Sequence, residues 1–490
     1  MNAEVDYKVI VIGAGSSGLC MAIKLKEQGI DDLVLLDKAS GLGGTWYHNT
    51  YPGAGCDVQS HLYSFSFEPK LDWSQPFGGQ KEILQYLNHC ADKYDIRRHI
   101  KFNTGVKKAI WNDELSCWKV TTEDGQTLTA TAVVSALGMF NNVVWPKIKG
   151  MSDFKGKTFH SARWDHEIDL TNKKVAVVGI AASAIQFVPE IAEKVCQLNL
   201  FQRTANWVVP KKNTPYLPKE LESFIADPEL VSASREETYR LWNTLATFND
   251  KKILKKIEHS GLERIAQVDD PETQRKLTPK HPFGCKRPLF SDVYYPVFNM
   301  PHVSLITEDI AEITEAGVVT ADGQVSEVDV IIYSTGFETT TYLNAIEVCG
   351  RKGQSLTDAW SDGAQAYLGV TTSGFPNLFM LYGPNTNQGC ILVMIEQQVK
   401  YIMRQLNRLE TENISWLDVK KDVMHHFNEQ LQVDIKNVDV WQHSCGNDFY
   451  YRAGPSGRFV TQWPKSMDDF ALATGKKDES FYEVGELPAN

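Results

Sequence analysis

YKVIVIGAGSSGLCMAIKLKEQG, residues 7–29, is the stretch on which the fold turns. Its first six residues are apolar, rich in β-branched side chains and too few for a helix, so they predict a buried parallel strand. The run breaks at Gly13-Ala14-Gly15-Ser16-Ser17-Gly18, LCMAIKLKEQG continues as a helix, and a second apolar run, LVLLD, ends at Asp37. Strand, glycine turn, helix and strand in that order, with an acid closing the second strand, make a dinucleotide-binding unit. Gly13 permits the tight turn, Gly15 lets backbone N–H groups approach a pyrophosphate, and Gly18 lets the helix pack close to the strand. Asp37 is placed to accept from a ribose hydroxyl.

The pattern recurs downstream. KKVAVVG predicts another buried strand, Gly179-Ile180-Ala181-Ala182-Ser183-Ala184 another tight turn, and a helix follows with apolar Ile185, Val188, Ile191, Ala192 and Val195. The next strand, QLNLFQR, ends at Arg203, which stands as far beyond Gly179 as Asp37 stands beyond Gly13. A carboxylate there suits a free 2′-hydroxyl and an arginine suits a 2′-phosphate, so the first unit reads as an FAD or NAD site and the second as an NADP site. An exposed charge at a strand end is the plainer alternative for Arg203. The second turn also carries Ala181 where the motif has its middle glycine, a methyl in the path of the pyrophosphate.

Working outward, GGTWYHNTYPGAGCD, residues 43–57, is too rich in glycine and aromatics for a regular element and predicts a loop over a flat ligand. Segments around residues 101–135 alternate like antiparallel strands, and Pro146 with Gly150 marks a boundary. FKGKTFHSARWD, residues 154–165, has no sustained period and predicts a connector with an unusual density of specified side chains. Residues 215–280 turn charged and helical, with a capping-box pattern at Ser234 and Glu237, and predict an insertion covering the second unit. DVIIYSTGF closes the second unit and returns the chain to the first. The fold expected is α/β, with two Rossmann-like domains. One comprises residues 1–147 and 339–490, the other 148–214 and 281–338, and residues 215–280 form the helical insertion. The polar tail after Lys476 is expected to be mobile.

At 490 residues the chain suits two or three domains, and 42% hydrophobic with 23% charged residues is an ordinary globular balance. The formal charge of -11 argues against nucleic acid or an acidic membrane surface as partner. Nine scattered cysteines without CxxC spacing predict reduced thiols and a cytoplasmic protein. No stretch approaches the roughly eighteen apolar residues of a membrane span. The adjacent His425 and His426 point to different helix faces, and no metal site is expected.

FKGKTFHSARWD matches FxGxxxHxxxW(P/D), the fingerprint of Baeyer-Villiger monooxygenases, through Phe154, Gly156, His160, Trp164 and Asp165. GGTWYHNTYPGAGCD resembles that family's second pattern, (A/G)GxWxxxx(F/Y)P(G/M)xxxD, which brings Gly44, Thr45, Trp46 and Asp57 to the flavin site. The resemblance extends over nearly the whole chain. It implies FAD and NADPH as cofactors, O2 and a small ketone as substrates, and a C4a-peroxyflavin that converts the ketone into an ester or lactone. By position it assigns catalysis to Arg287 in GCKRPLF with Asp57 as its partner, and 2′-phosphate binding to Arg203, Thr204 and Lys286. The second turn, with Gly179, Ala181, Ser183 and Ala184, would take the NADP pyrophosphate. His160 would have an organising role in the linker. An arginine cannot deprotonate, so a guanidinium over the flavin stabilises an anion throughout the reaction. Read by themselves, Arg287 as a surface ion pair and Asp57 as a turn acceptor stay open. A related flavin monooxygenase acting on amines or sulfides, and an uncoupled NADPH oxidase, are the competing functions.

Overall fold

The computed structural model describes residues 5–443 and 448–486. The strand Tyr7–Ile12 lies in the middle of the first sheet, parallel to Leu33–Leu36 on one side and to Thr127–Ser135 on the other. Outward from Leu33–Leu36 comes the short strand Ile100–Lys101; outward from Thr127–Ser135 come Cys117–Thr122 and Val106–Asn112, both antiparallel, then Glu347–Cys349. Leu378–Met380 also pairs with Thr127–Ser135, so the C-terminal part of the chain returns to the first body. The helices Ser16–Glu27 and Ile391–Thr411 pack together on one face, where their apolar sides share a core with Val9, Val11, Leu33 and Leu35.

The second sheet is parallel throughout, in the order Val303–Ile306, Gln197–Phe201, Lys174–Val178, Val330–Tyr333 and Lys157–His160. The last of these corrects the expected connector. KTFH is an edge strand, registered Tyr333 against His160, and Ser161–Arg163 follows as a 3-10 turn. Its first two residues, Lys157 and Thr158, are exposed and its last two, Phe159 and His160, are buried, so the four-residue run shows neither strand alternation nor a continuous apolar stretch. Phe154 and Gly156 secure its start: a Cβ at Gly156 would meet the Asp329 carbonyl oxygen at 2.3 Å and the Phe154 ring at 2.5 Å. Trp164 secures its end against Phe159 and Phe187, at centroid distances of 5.0 and 5.2 Å.

Further expectations change. The helix Pro228–Leu245 starts six residues before Ser234, because Asp227 accepts from the Glu229 N–H and Pro228 supplies the fixed φ of a first turn. Ser234 instead meets His61 Nδ1 at 2.9 Å. The inserted helices bridge both bodies: Tyr239, Trp242 and Phe248 pack on the first core, Ile265, Val268 and Leu277 on the second. The expected mobile tail is structured as far as Glu486, where Tyr482–Glu486 forms a strand antiparallel to Ile414–Val419; residues 487–490 lie outside the described residues. Cys285 is disulfide-bonded, against the expectation of thiols throughout, while among the described residues seven other cysteines are free. Among the described residues no helix is long and apolar enough to cross a membrane.

Candidate active site

The strand ends of both sheets open on one cavity of about 1250 Å³, the position where parallel α/β sheets bind ligands. At its first end, Gly13 has φ +108° and a Cβ there would sit 2.6 Å from the Ala136 carbonyl oxygen. At Gly18 a Cβ would come 2.0 Å from the Gly13 oxygen, so helix and turn touch backbone to backbone. Gly15 is different. A Cβ there would meet no atom nearer than the Gly44 Cα at 3.6 Å, whereas one at Gly44, with φ +55°, would lie 3.0 Å from the Gly15 Cα. The two glycines leave a slot that side chains would fill, beside a helix whose first turn carries no side-chain cap. Unshielded N–H groups at such a turn fit a pyrophosphate. Asp37 accepts from the Ala14 N–H at 2.6 Å and the Ala39 N–H at 2.8 Å, and a carboxylate with about four lone-pair sites keeps capacity for a ribose. Thr45 and Trp46 border the same end, with Trp46 Nε1 donating to the Tyr63 hydroxyl at 3.1 Å.

At the second end Gly179 has φ +91°, and a Cβ there would come 2.7 Å from the Ser334 carbonyl oxygen. Ala181 is exposed and lines the cavity with Ser183, while Ala184 is buried at the start of the helix Ala184–Ala192. Ala181 therefore lies on the cavity surface. Arg203, Thr204 and Lys286 converge at the rim, where Lys286 Nζ donates to Thr204 Oγ1. Burial, with the charge of Arg203 second, lowers the Lys286 pKa to about 8. A buried ammonium beside a guanidinium and a hydroxyl fits a phosphate dianion.

Asp57 and Arg287 meet between the two ends. Arg287 NH2 donates to Asp57 Oδ2 at 3.4 Å, with 40% of the arginine side chain open to the cavity. Burial works to lower the arginine's pKa, but Tyr450, Asp57 and Tyr382 outweigh it and the net direction is upward. Its guanidinium also stands over the Phe140 ring, 5.5 Å from the centroid. Of the fingerprint residues, His160 alone lines the cavity; Phe154, Gly156, Trp164 and Asp165 hold the edge strand and its turn. His160 Nδ1 accepts from the Ala162 N–H at 3.1 Å, which assigns the proton to Nε2. Burial first, and the charge of Arg163 second, bring its pKa down to about 4, so the ring is neutral. A neutral, fully buried imidazole in this setting organises the turn.

Several cavity residues escaped the sequence reading. Gln186 reaches from the second body to the first: its Oε1 accepts from the Tyr51 hydroxyl at 2.9 Å, and its Nε2 donates to the Gly55 carbonyl at 3.0 Å. It is the one amide in the apolar helix AIQFVPEIA, and that break was the available signal. Tyr382 adopts φ +56° beside the cavity and donates to Asn387 Oδ1 at 2.9 Å, with nothing in its sequence context to mark it.

Comparison with known proteins agrees with this geometry. Residues 6–348 match the flavin-binding monooxygenase-like family. A Baeyer-Villiger monooxygenase of Pseudomonas aeruginosa is 40% identical over 98% of this chain and 92% of its own length, and one of Streptomyces coelicolor is 39% identical over 97% and 92%. Among solved structures, closed cyclohexanone monooxygenase superposes with a TM-score of 0.87 at 31% identity, covering 98% of this chain and 99% of that one. Oxidized steroid monooxygenase bound to NADP gives 0.86 at 30% identity, again over 98% and 99%. With two dinucleotide sites facing one cavity, an arginine and an aspartate between them and full-length relatives of this kind, the chain belongs to the Baeyer-Villiger branch of the flavin-binding monooxygenase-like family.

Proposed function

We propose that this enzyme uses FAD, NADPH and O2 to insert an oxygen atom beside the carbonyl of a small ketone, with Arg287 as the residue that faces the reacting atoms and Asp57 as its anchor. One atom of O2 ends between the carbonyl carbon and its neighbour, the other leaves as water, and NADPH supplies two electrons. FAD, when bound, provides the redox chemistry that links hydride to oxygen. The protein's part is placement. Gly15 and Gly44 take the flavin pyrophosphate, Asp37 its ribose, and Arg203, Thr204 and Lys286 the phosphate that distinguishes NADPH from NADH. Arg287, held by Asp57 at the cavity's middle, offers fixed positive charge where negative charge develops on oxygen. In a site shielded from water such charge needs no reorganisation at the moment of reaction.

The observation that carries this reading is the Asp57–Arg287 contact at 3.4 Å, joining a loop of the first body to a segment of the second inside the shared cavity. Seven of the described cysteines are free, the state that a reducing cytoplasm maintains, with Cys285 the exception, and the reading keeps the enzyme there. The test is to confirm flavin absorbance of the purified protein, then follow NADPH-dependent O2 uptake with a panel of ketones, sulfides and tertiary amines and identify the products. Ester or lactone from a ketone is the expected result. Sulfoxide or N-oxide alone, or hydrogen peroxide with every candidate, would overturn it.

A further inference from the structure

Asp57 receives more positive charge than its pairing with Arg287 requires. While Oδ2 faces Arg287, Oδ1 lies 3.7 Å from Lys211 Nζ and 3.5 Å from Gln186 Nε2. The side chains of Lys211 and Asp57 are 12% and 13% exposed, so this second ion pair is largely withdrawn from water. Asp57 and Arg287 line the cavity, whereas Lys211 is not among its lining residues.

Lys211 is built into place. It follows the strand Val208–Val209, which pairs with Leu289–Phe290 two residues beyond Arg287, so both cations are carried by one short ribbon. Asp292 fixes the backbone, accepting from the N–H of Lys211 at 3.1 Å and of Asn213 at 3.4 Å. The Lys211 ammonium stands 5.3 Å from the centroid of the Phe77 ring. The Asn213 amide accepts from the Phe77 N–H at 2.9 Å, which ties the same turn to the first body.

One carboxylate between two cations leaves one positive charge over. An arginine paired with aspartate alone is a neutral dipole, whose field at the reacting atoms is weak. We propose that Lys211 is a positioning residue for oxygen transfer: it neutralises Asp57 from outside the cavity, so that the charge of Arg287 acts uncompensated on the negative charge developing inside. Asp57 can then hold the guanidinium in place without cancelling it. The inference rests on the oxygenase reading above and adds a residue to it.

The test compares wild type with Lys211→Met, which keeps the stem over Phe77 and removes the charge, with Lys211→Arg, with Asp57→Asn, and with the Lys211→Met/Asp57→Asn double variant. Three quantities are read: bound FAD by absorbance, the rate of flavin reduction by NADPH without O2, and the ratio of ester formed to NADPH consumed in air. Lys211→Met is expected to keep its FAD and to be reduced within about 3-fold of the wild-type rate, while its ester ratio falls about 10- to 100-fold. The missing product appears as hydrogen peroxide, O2 taking the two electrons of NADPH and two protons. Lys211→Arg restores the ratio, and the methionine substitution costs less in the Asp57→Asn background. Urea unfolding of the same proteins gives a readout without turnover: Lys211→Met lowers the midpoint when Asp57 is present and loses that effect in the Asp57→Asn background. Lys211→Gln replaces the methionine variant if that does not accumulate. Ester from wild type with an unchanged ratio in Lys211→Met overturns this inference alone, as does a loss that is as large in the Asp57→Asn background or that arginine does not restore. Absence of ester from wild type with every ketone overturns the oxygenase reading and this inference with it, and the unfolding cycle then still reports whether the two charges are coupled.

Discussion

Arg287 and Lys286 are neighbours in sequence that both line the cavity but differ in exposure, and each yields a measurable consequence. Arg287 is open to the cavity, held by Asp57 and permanently charged. Arg287→Ala should lower ester formation by about 10²-fold or more, with reduction of the flavin by NADPH largely retained. Stopped-flow reduction and product analysis on the same preparation separate the two steps, and near-wild-type ester yield would remove Arg287 from its role. Lys286 is 8% exposed and titrates near pH 8, because burial and then Arg203 disfavour its charged form. A bound 2′-phosphate favours that charged form, so binding is accompanied by proton uptake once the free lysine has begun to lose its proton. NADPH affinity should therefore hold below pH 8 and weaken as pH rises through that value. The affinity for NADH, which lacks the phosphate, should show no such inflection. Fluorescence titration of both cofactors from pH 6.5 to 9.5 checks this, and parallel curves would contradict it.

At the scale of elements, the two glycine turns and the strands entering them were legible because a turn at φ +108° or +91° against a carbonyl oxygen admits only glycine, and buried parallel strands are uniformly apolar. Arg203 was singled out by the spacing of its own unit, whereas Asp57, Arg287 and Lys286 were assigned only through the family resemblance, since nothing local relates residues so distant in sequence. The edge strand Lys157–His160 and the terminal strand Tyr482–Glu486 were not legible, because each is short, half polar and defined by partners elsewhere. The terminal strand is fixed by a buried network. The Tyr401 hydroxyl donates to Asp478 at 2.5 Å, Gln405 donates to the same carboxylate at 3.2 Å, and Tyr482 closes the group against Tyr401 and Thr371. Ending the chain at Lys476 would strip the carboxylate and one hydroxyl from a helix packed in the first core. Each buried polar group so orphaned costs about 1–3 kcal/mol. The truncated protein should melt well below wild type and bind FAD less tightly, which differential scanning and flavin-release assays measure; an unchanged melting temperature would make the strand dispensable.

For the whole molecule, the balance of buried titratable groups sets a dependence on acid. One imidazole in each body is held neutral: His61 has its pKa lowered to about 4 by burial, and His160 to the same value by burial and then Arg163. The unfolded chain takes up these protons near pH 6.5, the folded chain only near pH 4. Between those values the unfolded state binds more protons, so stability falls as pH drops through the window, by about 3 kcal/mol per imidazole when complete. Asp418 acts in the opposite sense, because burial raises its carboxyl to about 7 and the folded state then holds a proton that the unfolded state releases. The net slope of stability against pH mixes these contributions, whereas a difference between variants isolates one. His61→Phe is suited to this, since His61 stacks on Tyr216 at 5.9 Å and meets Phe224 edge-on at 5.0 Å, contacts a phenyl ring can keep. The variant loses the Ser234 bond and starts less stable at pH 7. Between pH 6.5 and 4.5 its stability should then decline less steeply than wild type, by up to one proton in the linkage slope, so that the two curves converge or cross. Urea unfolding at half-unit pH intervals measures the slopes, and parallel curves would show that His61 takes up its proton as readily folded as unfolded.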